Sequence, residues 1–148
     1  MEQSPQGKPL PEITDLTRPF WTAAYEGKLK MQKCGCCGTK NFYPKPWCVE
    51  CGSRKLEWVE VKPTGTVYSF TTASLVMMNL PGWKTDLPVT LCLVDLDEGP
   101  RMYAQLTDCA PHNVRFGMQV EAHFEKIGEN IGIPKFRPVG AKSGSATT

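Results

Sequence analysis

Two short stretches carry most of the obvious chemistry in this chain: Cys34-Gly35-Cys36-Cys37-Gly38 and Cys48-Val49-Glu50-Cys51-Gly52. Each holds a C-x2-C pair followed by glycine. Such a turn aims both sulfurs at one point, while the glycine relieves the backbone as it folds beneath a metal. Ten residues separate the pairs, and two such turns met head to head give a tetrahedral four-thiolate site. Five of the chain's seven cysteines lie between positions 34 and 51. The repeated form selects Cys34, Cys37, Cys48 and Cys51, because a Cys34/Cys36 pair breaks the spacing and loses its trailing glycine. Cys36 is left as a spectator. The expected metal is a structural Zn2+, and iron in a rubredoxin-like state shares the same ligand set. A closed four-sulfur shell leaves no open position for water or substrate, which disfavours Lewis-acid catalysis. Four thiolates around a divalent ion leave a net negative charge, and Lys33, Lys40, Lys45 and Arg54 lie near enough in sequence to offset it. The same lysines are candidates to meet phosphates.

The remaining candidates for chemistry are weaker. Cys92 sits in an apolar strand and reads as a small core residue. Cys109 has His112 three residues on, without a third group to orient the pair. His123 alternates outward between Glu121 and Glu125. Asp95, Asp97 and Glu98 bracket a turn, where acidic residues serve conformation. The chain is expected to be non-catalytic alone.

The elements that must position the cysteines follow from periodicity. Residues 1–15 are polar and proline-spaced, an extended arm. A helix is expected from Thr17 to Tyr25, capped by Thr17, with Phe20, Trp21, Ala24 and Tyr25 at helical spacing; Phe20 and Trp21 are expected to pack on the neighbouring lobe, the alternative being contact with a ligand. Leu29–Gln32 alternates at period two and leads into Cys34. Helix and ribbon together span 16–56. From Glu57 to Val139 the chain reads as short strands with glycine punctuation: 65–72, 88–96, 101–106, 117–125 and 133–139. The last contains prolines that would confine it to an edge. No crossover helices intervene, so a five-stranded OB-type barrel is expected, with a flexible tail at 140–148. Along 89–96 both faces are apolar. Val89, Leu91 and Leu93 form one, and Cys92, Val94 and Leu96 the other; one face fills the barrel, so the other, whichever it is, must be covered by the N-terminal lobe or by a partner chain.

Composition is compatible with this mainly β reading. Thirteen prolines and thirteen glycines in 148 residues imply many turns, and 41% hydrophobic residues suffice for a core. A net charge of +2, without a basic run, is poor support for a nucleic-acid binder. No apolar leader opens the chain, and no stretch reaches the roughly 20 residues that span a bilayer. An odd number of crowded cysteines fits a reducing compartment, so a cytoplasmic location is expected.

The order FW, GKLKMQKCGCCGTKNFYPKPWCVECGS, GTVYSFTT, PGWKTDLPVTLCLVDLDEGPRMYAQLTD, FGMQVEAHFE and PKFRPVG resembles one family along residues 18–140. It is the acyl-CoA-associated zinc-ribbon/OB-fold family known as "domain of unknown function thirty-five". The resemblance implies an accessory subunit of a thiolase-superfamily complex. In such complexes the thiolase-fold chain carries the nucleophile, and the ribbon/OB chain assists CoA-ester binding and assembly. It implies Cys34, Cys37, Cys48 and Cys51 as zinc ligands, no catalytic residue in this chain, and an α2β2 assembly. Lys33, Lys40 and Lys45 are then candidate contacts for CoA phosphates. The reaction would be thiolytic C–C cleavage or formation on an acyl-CoA.

One further stretch stands out. Ser74 to Trp83 lies between two strands yet is strongly apolar, and its methionines and tryptophan suit an adaptable contact surface. Met77, Met78, Leu80 and Trp83 are therefore expected to dock on the partner or to line its acyl pocket, compatibly with an aromatic acyl chain such as that of benzoylsuccinyl-CoA. Two alternatives stand beside this reading. One is a single-stranded nucleic-acid module using Tyr68 and Phe70 on one strand face; the other is a free-standing acyl-CoA-binding protein.

Overall fold

The computed structural model describes Ser4, residues 7–75 and residues 81–141. The chain enters through the arm into α1 (Arg18–Tyr25), whose buried residues Phe20, Ala23 and Ala24 fall on one face at helical spacing. Thr17 stands at the N-cap position without capping. Its Oγ1 instead accepts from the Thr14 backbone N–H at 3.1 Å, so the hydroxyl is engaged by the turn before the helix. Gly27, at φ 79°, then supplies the left-handed residue that ends α1.

The ribbon is a three-stranded antiparallel sheet in the order β2-β1-β3, with β1 at Leu29–Cys34, β2 at Lys40–Asn41 and β3 at Leu56–Val61. The third strand departs from expectation. Residues from Glu57 onward were expected in the barrel, yet Leu29 pairs with Val61 and Cys34 with Leu56. The physical reason lies in β1, which is buried on both faces at Met31 and Gln32. A central strand needs partners on both edges, and β2 covers only two of its residues.

Five strands then form a closed barrel in the order β4-β5-β6-β8-β7: β4 Thr64–Ala73, β5 Val89–Leu96, β6 Arg101–Leu106, β7 Gln119–Gly128 and β8 Ile131–Pro138. A one-turn helix, α2 (Pro81–Lys84), precedes β5, and a 3₁₀ turn at Pro111–Asn113 precedes β7. The interior is filled by Val67, Cys92, Val94, Met102, Val120 and Phe136, all essentially sealed from solvent. The proline-bearing last strand is not a free edge. It pairs with β7 along its length and closes onto β6 only where Leu106 meets Phe136, so the face short of donors is the sparsely bonded one.

Two local features set the outer face. In β4 a bulge lies between Val67 and Ser69. It sends Tyr68 outward, where Arg101 stacks on its ring at 3.3 Å, while Phe70 pairs with core residue Cys92. The expectation that Tyr68 and Phe70 share one face therefore fails: an extra residue breaks the period of two. The second feature is Gly132 on β8. A Cβ there would overlap the backbone of Ala24 and Tyr25, so its absence lets α1 lie directly on the barrel. Among the described residues no helix is long and apolar enough to cross a membrane.

Candidate functional site

The sulfurs of Cys34, Cys37, Cys48 and Cys51 all lie within 4.8 Å of one another. The two turns that deliver them are near copies. In the first, Cys34 N–H donates to Thr39 O at 2.8 Å and Gly38 N–H to Cys34 O at 2.9 Å; in the second, Cys48 N–H donates to Ser53 O at 2.8 Å and Gly52 N–H to Cys48 O at 2.9 Å. Gly38 and Gly52 sit at φ 77° and 72°, the region a side chain would disfavour. Backbone N–H groups also point at sulfur: Cys36 and Cys37 N–H lie 3.3 and 3.5 Å from Cys34 Sγ. The Cys37 N–H, ahead of the other contacts, draws the Cys34 thiol down to about 6, and the Cys51 N–H likewise lowers Cys48. Donors aimed at sulfur favour thiolate, the form that binds metal, at Cys34 and Cys48. At Cys51 the Ser53 N–H acts the same way but is outweighed by the Cys37 sulfur, burial and the Cys34 and Cys48 sulfurs, which push its thiol up to about 12 until a metal replaces the shared protons. The donor set thus fits one tetrahedral thiophilic ion. Cys36 is exposed and stands outside the cluster.

The other thiols have no such activation. Burial pushes Cys92 up to about 11, and burial also raises Cys109. His123 does not project freely into water as expected. Its Nε2 lies 2.6 Å from Thr107 Oγ1, and burial, followed by the Arg137 charge, lowers its pKa.

The lysines divide. Lys33 and Lys40 lie opposite one another across β1 and β2, with Glu57 opposite Lys33 on the other side. Lys45 lies in the loop between the metal turns, where its N–H donates to Gln32 Oε1 at 2.8 Å. The ladder register sets the first two side by side, and Lys45 is tied through its backbone to Gln32, the neighbour of Lys33. Met77, Met78 and Leu80 lie outside the described residues. Trp83 is half-buried, with Lys8 Nζ 5.2 Å from its ring centroid.

Trp83 also belongs to a feature the sequence did not announce, a cavity of about 310 Å³ between the lobes. One wall comes from α1 and the metal loop: Phe20, Trp21, Phe42 and Tyr43. Their rings meet edge to face, with Phe20 5.0 Å from Trp21 at 82° and 5.9 Å from Tyr43 at 75°. The opposite wall is the outer face of the barrel, including Val89, Leu91 and Tyr103. A third comes from the arm and α2, through Lys8, Pro9 and Trp83. The outer face of β5 is therefore covered only in part. Val89 is buried, whereas Leu91 remains 44% and Tyr103 67% exposed.

Two buried polar side chains hold the aromatic wall. Gln32 anchors Lys45 as above, and Asn41 Oδ1 accepts from Val49 N–H at 3.1 Å. Both fasten the loop that carries Phe42 and Tyr43 at one end and Cys48 at the other. The cavity's charges are paired: Lys8 Nζ lies 2.5 Å from Asp86, and Lys135 pairs with Glu125. Among the described residues, the indole Nε1 of Trp21 is buried and finds no hydrogen-bond partner, a condition that costs about 1–3 kcal/mol. Phe42-Tyr43 carried a signal, being aromatic within a polar metal loop; Lys8 and Asp86 carried none, since their pairing is purely tertiary.

Comparison with known proteins agrees with this geometry. Residues 21–57 match the family model of the ChsH2 rubredoxin-like zinc ribbon domain, and residues 58–125 that of the ChsH2 C-terminal OB-fold domain. The chain is 33% identical over 138 residues to a probable enoyl-CoA hydratase alpha subunit of Thermomonospora curvata, covering 93% of this chain but only 42% of that protein. It is 39% identical over 105 residues to a DUF35 domain-containing scaffold protein of Pyrococcus furiosus, covering 66% of this chain and 74% of the relative. A chain of the solved Ltp2-ChsH2(DUF35) aldolase is similar at a TM-score of 0.75 and 31% identity, with 87% of this chain and 98% of that chain covered. Ribbon and barrel are matched in the same order, and the chain belongs to the DUF35 family of zinc-ribbon/OB-fold scaffold proteins.

Proposed function

We propose that this chain is a non-catalytic scaffold subunit of a two-component enzyme acting on CoA esters, with a thiolase-fold partner supplying the nucleophile. The observation that carries this reading is a cavity with aromatic and aliphatic walls. Among the described residues lining it there is no cysteine or histidine, and its lysines are ion-paired. In the ribbon the four clustered thiols would hold Zn2+, which supplies a fixed cross-link between the two turns and no open coordination site. The similar proteins named for an enoyl-CoA hydratase subunit and for an aldolase support a CoA-ester substrate and a multi-chain assembly. Family resemblance supports α2β2 stoichiometry and C–C bond chemistry. The apolar segment that includes Trp83 would contribute to partner contact, and Lys33, Lys40 and Lys45 to CoA phosphate contact.

The test is isolation of the untagged assembly from its native host, followed by sequencing of the co-purifying chain and metal analysis. A thiolase-fold partner, one zinc per ribbon and acyl-CoA turnover only by the assembly are expected. Turnover by the isolated chain overturns the reading.

A further inference from the structure

Among the described residues, two strands run with one side unpaired. The first is β3, which pairs with β1 alone. It carries Glu57 and Glu60, both exposed, and charges on an edge guard it against joining another chain. The second is the far half of β4. The near half takes part in barrel closure, with Thr64, Gly65 and Thr66 paired to β7. Val67 continues the contact: its N–H donates to Met118 O at 2.9 Å and its carbonyl accepts from Gly117 N–H at 2.8 Å. At the bulge between Val67 and Ser69 the strand leaves β7, and from Ser69 to Ala73 it keeps β5 on one side and meets no described strand on the other. In an antiparallel ladder every second residue turns its N–H and C=O away from its partner. This side therefore presents a row of donors and acceptors.

The chemistry of the stretch is unlike that of β3. Tyr68-Ser69-Phe70-Thr71-Thr72-Ala73-Ser74-Leu75 contains no charge and no proline. Its surroundings add apolar surface, since Leu75 is 81% and Phe116 73% exposed, and the Phe116 ring lies 5.2 Å from that of Phe70. Arg101, which lies over Tyr68, is already paired with Asp95.

We propose that the far half of β4 is a docking edge for a second copy of this chain, joined antiparallel about a two-fold axis. Ser69 to Ala73 of the two copies would pair, merging both barrels into one sheet in the order β6-β5-β4-β4-β5-β6. Charge selects a second copy as the occupant. Two-fold pairing sets a strand against itself, so a charge on it meets its own like. Here β4 brings none, whereas the same pairing of β3 would gather Glu57 and Glu60 of both copies into one ladder. Whatever the register, the pairs formed draw on Phe70, Thr71 and Thr72, and aromatic–threonine and threonine–threonine pairs favour association. One short strand from each copy makes a small contact, so the dimer forms reversibly and dissociates on dilution.

The test is sedimentation of the zinc-loaded full chain over a range of concentrations, with amide exchange followed alongside. A monomer–dimer equilibrium is expected. Amides between Ser69 and Ala73 should exchange more slowly as the dimer fills, while those of β7 and β8 keep one rate. Thr71 is exposed, so Thr71→Lys should leave thermal unfolding of the dilute chain unchanged. It should nonetheless weaken the dimer at least about tenfold, through like charges across the axis. Thr71→Glu should do the same, and mixing the two variants should restore association, which a defect in folding could not do. Glu60→Gln on β3 should leave the equilibrium as it was. A chain that stays monomeric at every concentration, a dimer indifferent to both Thr71 variants, or slowed exchange confined to other strands overturns the inference. Slowed exchange at β4 that appears only when a different protein is added assigns the edge to that protein and overturns it equally.

Discussion

In the barrel, Phe136, Val94 and Val120 are sealed from solvent, and the five strands close on one another in a ring. In the ribbon, the buried residues at the turn ends are Cys34 and Cys48, and β2 contributes only two residues. The barrel is held by burial and ladder hydrogen bonds spread over many residues, so no single contact decides its fold. The ribbon concentrates its constraint in four sulfurs and the N–H groups aimed at them. A region too small to bury enough apolar surface needs a local cross-link, and a metal supplies one.

Removing the cross-link is the sharpest way to test that contrast. Cys48→Ser, or chelation, should abolish metal binding and unfold the ribbon, since structural zinc contributes about 10–16 kcal/mol in small ribbons and fingers. Amide exchange should show the barrel strands still protected. Cys36→Ser should retain a full complement of zinc; its loss would mean the wrong cysteine was left out. The converse change is Phe136→Ala, which opens a void at the centre of the barrel and should cost about 3–5 kcal/mol. If the metal-bound ribbon signals survive in that variant, the two regions are held independently. Simultaneous loss would show a single cooperative unit.

Smaller changes probe the seam. Gly132→Ala places a methyl group into the α1 backbone and should cost about 1–3 kcal/mol in denaturant unfolding, with the largest chemical-shift changes in α1. An unperturbed helix would deny the close contact. Acid should weaken the barrel through His123. Its folded pKa lies below the ordinary value of 6.5, so the unfolded chain binds the proton more readily. The contribution of the neutral ring is therefore full above about pH 6.5 and fades as pH falls toward the folded value. His123→Gln should flatten the stability profile in that window, and an unchanged slope would place the loss in another group. Arg101→Ala should matter least. Its pair with Asp95, at 2.6 Å and roughly half exposed, is screened by water, so the denaturant midpoint should move less than in any of the variants above.

How legible these regions were in the sequence differs for the same physical reason. The ribbon's chemistry is local: the C-x2-C-G repeat, read at fixed spacing, selected the four cysteines that the structure clusters. The barrel strands were legible from period two, as in Val120, Ala122 and Phe124. What escaped was set by distant partners. Leu56–Val61 joins the ribbon because β1 lacks a second neighbour, and the Val67/Ser69 bulge turns Tyr68 away from Phe70. The cavity escaped altogether as a whole. Its walls come from the arm, α1, the metal loop and β5, and no sequence window contains more than one of them with its opposing wall.

The segment between the two metal turns has a consequence for insertions and deletions. Its ten residues run from the first sulfur pair, past Phe42, whose ring lies 6.2 Å from Tyr103 on the barrel, and back to Cys48. Gln32 and Asn41 pin it on the way. The stretch therefore works as a ruler with both ends fixed. Removing one residue must pull either Cys48 from its sulfur partners or Phe42 from the barrel. Side chains along it can change and reshape the wall they form, while its length cannot change without re-tuning both lobes.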